Sequence, residues 1–100
     1  MEQWTKEQFE QQKEQGVKSA LYVYTPMCGT CQVASRMMAV VEHLVPHRAI
    51  GKLDLNFEAT LALTYEIESV PCLLIVDDGK VKEKVYAFQS VPYLYELLKN

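Results

Sequence analysis

The sequence predicts a three-layer α/β/α sandwich, with helices on both faces of a four-stranded mixed sheet, in the order α-β-α-β-α-β-β-α. Apolar runs of strand length alternate with helix-period segments. A helix separates the first two strands, and a crossover of that kind makes them parallel. The last two strands, Cys72–Val76 and Val81–Tyr86, are joined through Asp77-Asp78-Gly79-Lys80, a hairpin signal because Asp-Gly accepts positive φ, so these two are antiparallel. With 49% hydrophobic residues and no linker, repeat or low-complexity segment, residues 1–100 suit a single domain with one site.

Each element has its own local signal. Thr5 and Gln8 match a capping box and Trp4 and Phe9 a hydrophobic staple, which starts a helix at Lys6. It runs to about Gln15, where Gly16 stops it. Ala20–Tyr24 reads as a buried strand. The next helix carries Val33, Ala34, Met37, Met38, Val40, Val41, Leu44 and Val45 before Pro46 ends it, an apolar surface wide enough to suggest a helix packed hard against a sheet. Ala49–Leu55 is the second strand, and Asn56 is placed to cap a short helix through Leu61 to about Tyr65. Ser90 caps a final helix presenting Val91, Leu94, Leu97 and Leu98.

The chemistry lies at the junction Tyr22-Val23-Tyr24-Thr25-Pro26-Met27-Cys28-Gly29-Thr30-Cys31. Pro26 keeps Thr25 out of helical geometry, so the strand must turn before the helix that opens at Cys28. Cysteines three apart on a helix share a face, with Cβ atoms ~5–6 Å apart, close enough for a disulfide after local adjustment. The helix N-terminus favours negative charge and lowers a thiol from its free value of about 8.5. Cys28 is therefore the candidate nucleophile and Cys31, one turn in, the candidate resolving thiol. In open α/β sheets the site lies beyond the carboxyl ends of the parallel strands, where this turn falls.

Other chemistries fare worse. A net charge of -3 with scattered Lys and Arg offers no field for nucleic acid. No apolar stretch approaches the ~18 residues of a membrane span, and the polar, acidic start Met1–Glu7 lacks the pattern of a secretory leader. These readings place the protein in the cytosol, where a close cysteine pair is redox-active or metal-binding rather than a scaffold disulfide. Zinc would need Cys72 and a histidine beside the pair. His43 lies twelve residues beyond Cys31, ~18 Å along a helix, and His47 lies farther, so no metal is expected.

Cys28-Gly29-Thr30-Cys31 after a strand, Val70-Pro71 before the hairpin and this element order together resemble the thioredoxin family over essentially the whole chain. The resemblance implies a thioredoxin-like fold and a thiol-disulfide oxidoreductase that reduces protein disulfides by two-step exchange, with no bound cofactor. It also implies a cis-proline at Pro71 packed against the cysteine pair. Gly29, Thr30, Val70 and Pro71 would shape the docking groove, with Tyr86, Ala87 and Phe88 as its hydrophobic rim. The implied partners are disulfide-containing client proteins and a thioredoxin-reductase-type electron donor, with the protein a monomer. A non-catalytic thioredoxin-like interaction module is the alternative, but such domains commonly lose a cysteine and both remain here. Gly-Thr lacks the histidine of oxidant members, which favours a reductant.

The chain departs from the family at four places. Met27 stands where members usually have Trp, Tyr22 where they have a buried acid, and Arg36 where they have a mid-helix proline, so that helix should be straighter. Too few residues precede Thr5 for the usual extra strand, which leaves at most a stub of a fifth. Lys52 matches the family lysine near the buried acid, and Asp54 shares its strand face. The two could assist proton loss from Cys31, or be a solvated or capping charge pair. Tyr22 and Tyr24 read as core aromatics. Cys72, opening an apolar run, reads as a small buried hydrophobe, with a third redox thiol as the alternative.

Overall fold

The computed structural model describes Met1–Asn100. Its elements are β1 (Glu2–Gln3), α1 (Lys6–Glu14), β2 (Ser19–Tyr24), α2 (Gly29–Leu44), β3 (Ala49–Asp54), a 3₁₀ turn (Leu55–Phe57), α3 (Thr60–Tyr65), β4 (Cys72–Asp77), β5 (Lys80–Val85) and α4 (Val91–Leu98). The sheet is five-stranded in the order β1-β3-β2-β4-β5. β1 and β2 run parallel to β3, and β4 runs antiparallel to both β2 and β5. The thioredoxin-like sandwich is thus present with one strand more than four. The addition is the two-residue stub β1, continued by Trp4 N–H donating to the Lys52 carbonyl at 2.8 Å.

Side chains of β2 and β4 alternate between two cores, as the period of a strand requires. Ala20, Tyr22, Leu73 and Ile75 join Met38, Val41, Leu94 and Leu98 on the α2/α4 face. Leu21, Val23, Cys72, Leu74 and Val76 join Trp4, Phe9 and Leu61 on the α1/α3 face. Strands covered on both faces show continuous apolar runs rather than alternation, which is how these two read in the sequence.

The capping signals hold at α1. Thr5 Oγ1 accepts the Gln8 N–H at 3.1 Å, Gln8 Oε1 accepts the Thr5 N–H at 2.8 Å, and Gly16 follows the helix with φ +70. Ser90 caps α4 by accepting the Tyr93 N–H at 3.2 Å. After β3 the expectation needs correcting. Asp54, not Asn56, is the capping residue, its Oδ1 accepting the Asn56 N–H at 2.9 Å to start the 3₁₀ turn. α3 begins later, after Ala59, without a side-chain cap. A carboxylate at the strand end reaches the free N–H two residues on, which leaves Asn56 inside the turn.

α2 is unbroken over 16 residues, as the absence of a mid-helix proline implies. Its burial is narrower than its composition suggests. Cys31, Ala34, Met38 and Val41 are buried, whereas Val33, Val40 and Leu44 are about half exposed. One unforeseen hub ties the sheet to α4. The buried Arg48 guanidinium donates to the carbonyls of Ser19, Val76, Leu98 and Asn100 and to the Asp77 carboxylate, all within 2.8–3.2 Å.

Candidate active site

β2 delivers the chain to the site and Thr25-Pro26-Met27 turns it, the Cys28 N–H donating to the Thr25 carbonyl at 3.3 Å. Cys28 is the N-cap of α2 rather than its first helical residue. Its extended backbone (φ -97, ψ 113) aims the sulfur at the first free N–H groups, and Sγ accepts the Cys31 N–H at 3.1 Å. Thr30 Oγ1 lies 3.4 Å from the same sulfur and the Val70 carbonyl oxygen 3.8 Å. Cys28 and Cys31 are joined as a disulfide with Cα atoms 5.1 Å apart. The two sulfurs differ in access: Cys28 is half-buried, whereas Cys31 is only 2% exposed. No acidic residue occupies the first turn of α2, so nothing there opposes a thiolate at its N-terminus.

The Val70–Pro71 peptide bond is cis, as the resemblance implies. Beside it runs a largely apolar groove of about 440 Å³. Of the anticipated docking residues Thr30, Val70, Pro71, Tyr86, Ala87 and Phe88 line it, while Gly29 is exposed and does not. Val33, Ala34, Met37 and Gln89 complete the lining and were not anticipated. Thr30, Val33, Ala34 and Met37 follow helical spacing along one side of α2, and that side borders Pro71. Met27, in place of the family Trp, is 94% exposed at the rim of the turn.

Behind the disulfide stands Tyr22, fully buried, its hydroxyl donating to the Cys31 carbonyl at 2.7 Å and lying 2.9 Å from Ser35 Oγ. Burial pushes the Tyr22 phenol up, the Ser35 bond offsetting part of the effect. It is a core aromatic with a polar end at the site, a contact its position in an apolar run did not reveal.

Lys52 and Asp54 form no ion pair, and neither bonds to Cys31. The Asp54 carboxylate is engaged with the 3₁₀ turn, the capping alternative raised above. Cys72 is paired with Val23 in the β2–β4 ladder, but its side chain belongs to the α1/α3 face, across the sheet from α2. Burial pushes its thiol up to about 11, with Tyr86 and Lys84 offsetting only part. His43 and His47 are exposed, and nowhere do three His, Cys, Asp or Glu side chains converge as metal ligands would.

The family profile described as Thioredoxin matches residues 1–100. The chain belongs to the thioredoxin family. Among its relatives it is 53% identical over 80 residues to the thioredoxin-like protein YusE of Bacillus subtilis, covering 80% of this chain and 76% of that one. It is 30% identical over 95 residues to a thioredoxin of Staphylococcus epidermidis, covering 94% and 90%. In three dimensions it superposes on a point-mutant thioredoxin of Halobacterium salinarum with a TM-score of 0.86 at 21% identity, covering 99% of this chain and 87% of that one. Mitochondrial thioredoxin 3 of Saccharomyces cerevisiae in its oxidised form gives 0.81 at 21% identity, covering 91% and 85%. At such identities the superpositions speak for the fold alone. Family membership and the cysteine pair together make this thioredoxin-like protein a thiol-disulfide oxidoreductase.

Proposed function

We propose that the protein reduces disulfides in client proteins, with Cys28 as the nucleophile and Cys31 as the resolving thiol. The observation that carries this is the sulfur of Cys28 at the N-cap of α2, half-buried and accepting the Cys31 N–H beside an apolar groove. A thiolate there gains a charge-assisted hydrogen bond and the field of the helix, while a client strand has apolar walls to lie against. Cys28 attacks one client sulfur, the client S–S bond breaks, and the released client thiolate takes a proton. Cys31 then attacks Cys28 Sγ, the mixed disulfide breaks, and the second client sulfur leaves. Two electrons pass to the client, and the protein is left with its Cys28–Cys31 disulfide.

Gly29, Thr30, Val70 and Pro71 shape the approach in this reading, with Tyr86, Ala87 and Phe88 as the rim and Val33 and Met37 extending it along α2. No step is assigned to Lys52 or Asp54. We place the protein as a monomer in the reducing cytosol, recharged by a thioredoxin-reductase-type donor, because a disulfide reductase needs a compartment that returns it to the dithiol. No helix is long and apolar enough to cross a membrane. Equilibrating the pair against glutathione or dithiothreitol tests the direction. A reductant poises near about -270 mV, and a value near about -120 mV would make the protein an oxidant instead.

A further inference from the structure

Cys31 is held at both of its backbone groups. Its N–H donates to Cys28 Sγ at 3.1 Å, and its carbonyl accepts from the Tyr22 hydroxyl at 2.7 Å. A phenol has one proton, and a carbonyl can only accept. The proton of Tyr22 is therefore directed at the Cys31 carbonyl, and in the 2.9 Å contact between Tyr22 and Ser35 the serine hydroxyl must be the donor. The tyrosine ring is itself fixed. It stacks on Tyr24 with centroids 5.6 Å apart and meets the edge of Phe88 at 5.7 Å.

A hydroxyl committed in this way is not free to take a proton from Cys31, and being neutral it does not alter the charge around the pair. What it can do is hold the first turn of α2, and with it the Cα of Cys31 5.1 Å from that of Cys28. Ring closure onto a mixed disulfide depends on the resolving sulfur being placed before the reaction, because an intramolecular attack gains its rate from position.

We propose that Tyr22 is a positioning residue for the resolving step, its hydroxyl clamping the Cys31 carbonyl so that Cys31 Sγ is held ready to attack Cys28 Sγ. The clamp acts where members of the family usually have an acid, and it works through geometry rather than proton transfer. In the step it serves, the Cys31 thiolate forms a bond to Cys28 Sγ, the bond from Cys28 to the client sulfur breaks, and the client sulfur leaves with the electron pair and is protonated by solvent. The proposal rests on the assignment of Cys28 and Cys31 made above. It says nothing about the first attack, in which the Cys31 carbonyl takes no part.

The test uses the full chain in its reduced form, mixed with a peptide closed by one disulfide, quenched with acid at intervals and analysed by mass spectrometry. Formation and decay of the mixed disulfide give the two rates separately. Tyr22→Phe keeps the ring and its aromatic neighbours and removes only the hydroxyl. It should leave formation unchanged within about twofold and slow decay by about five- to tenfold, the factor expected for one lost hydrogen bond, so that the mixed disulfide accumulates. Ser35→Ala leaves the bond to the Cys31 carbonyl in place and should slow decay by less than about twofold. A variant merely loosened in its fold would shift both steps together. Equal slowing of both steps in Tyr22→Phe, or an unchanged decay, overturns the clamp and leaves the cysteine assignment standing. If the unmodified protein forms no mixed disulfide through Cys28, that assignment fails and the clamp with it.

Discussion

The indole of Trp4 lies flat against the backbone of Gly51, so close that a Cβ at Gly51 would fall inside contact distance of three ring atoms. Glycine is needed here for space rather than for conformational freedom. The register pairs Glu2 with Gly51 and Gln3 with Lys52, which brings the next residue, Trp4, back over β3 and into the α1/α3 core beside Phe9. The same indole forms the staple at the start of α1 and closes the edge of the sheet that carries the site.

Gly51→Ala should therefore destabilise the protein by about 1–3 kcal/mol, the usual range for overpacking a fixed core. Urea unfolding would measure it. The double variant Gly51→Ala with Trp4→Leu should cost less than the sum of the two single changes, because the collision that Gly51→Ala creates is with the indole. Simple additivity would show that the two residues do not meet in solution.

Local signals carried furthest where a short stretch of chain satisfies its own backbone. Thr5 and Gln8 form the reciprocal cap their spacing predicts. Asp78 and Gly79 both take positive φ between the paired Asp77 and Lys80, the two-residue turn that Asp-Gly favours in a hairpin. Readings failed where a distant partner decides. Asp54 and Asn56 are both good capping residues, and only the end of β3 determines which reaches the free N–H. Apolar residues on α2 have the same spacing whether they face the sheet or a groove beside Pro71, so Val33 and Met37 could not be assigned to docking. Tyr22 looked wholly apolar because a phenol inside a strand does not reveal which carbonyl its hydroxyl will meet. Arg48 gave no signal at all, since its acceptors come from three separate segments.

Met37 offers a test of the groove that leaves the thiol chemistry alone. It is half-buried on α2, six residues beyond Cys31, and lines the groove. Met37→Glu should lower kcat/KM for a folded protein disulfide by about tenfold, as expected for losing one partly buried apolar contact and setting a charge against an apolar client. Reduction of a small aromatic disulfide, too short to reach Met37, should change by less than about twofold. Equal losses on both substrates would move the docking surface elsewhere.

Cys72 predicts a pH dependence of stability with a definite sign. Its thiol is held near 11 in the folded protein against an ordinary value near 9, so the unfolded chain loses this proton first. The contribution is fully present below pH 9 and is lost as pH rises toward 11. Unfolding followed across that window should show stability falling, and Cys72→Ala should remove that part of the fall while costing roughly 1 kcal/mol at neutral pH through a small cavity. Iodoacetamide labelling of the reduced native protein should find Cys72 far slower than Cys28. Equal labelling rates would make Cys72 a third redox thiol.

The central claim is the division of labour between Cys28 at the N-cap and the buried Cys31. Trapping tests it most directly: reduced Cys31→Ser and Cys28→Ser proteins are each incubated with a disulfide-bonded client and analysed by non-reducing mass spectrometry. Cys31→Ser should accumulate a stable mixed disulfide through Cys28, because attack proceeds and resolution cannot. Cys28→Ser should accumulate none and reduce nothing. A mixed disulfide on Cys31 in Cys28→Ser, with none on Cys28 in Cys31→Ser, would contradict the account.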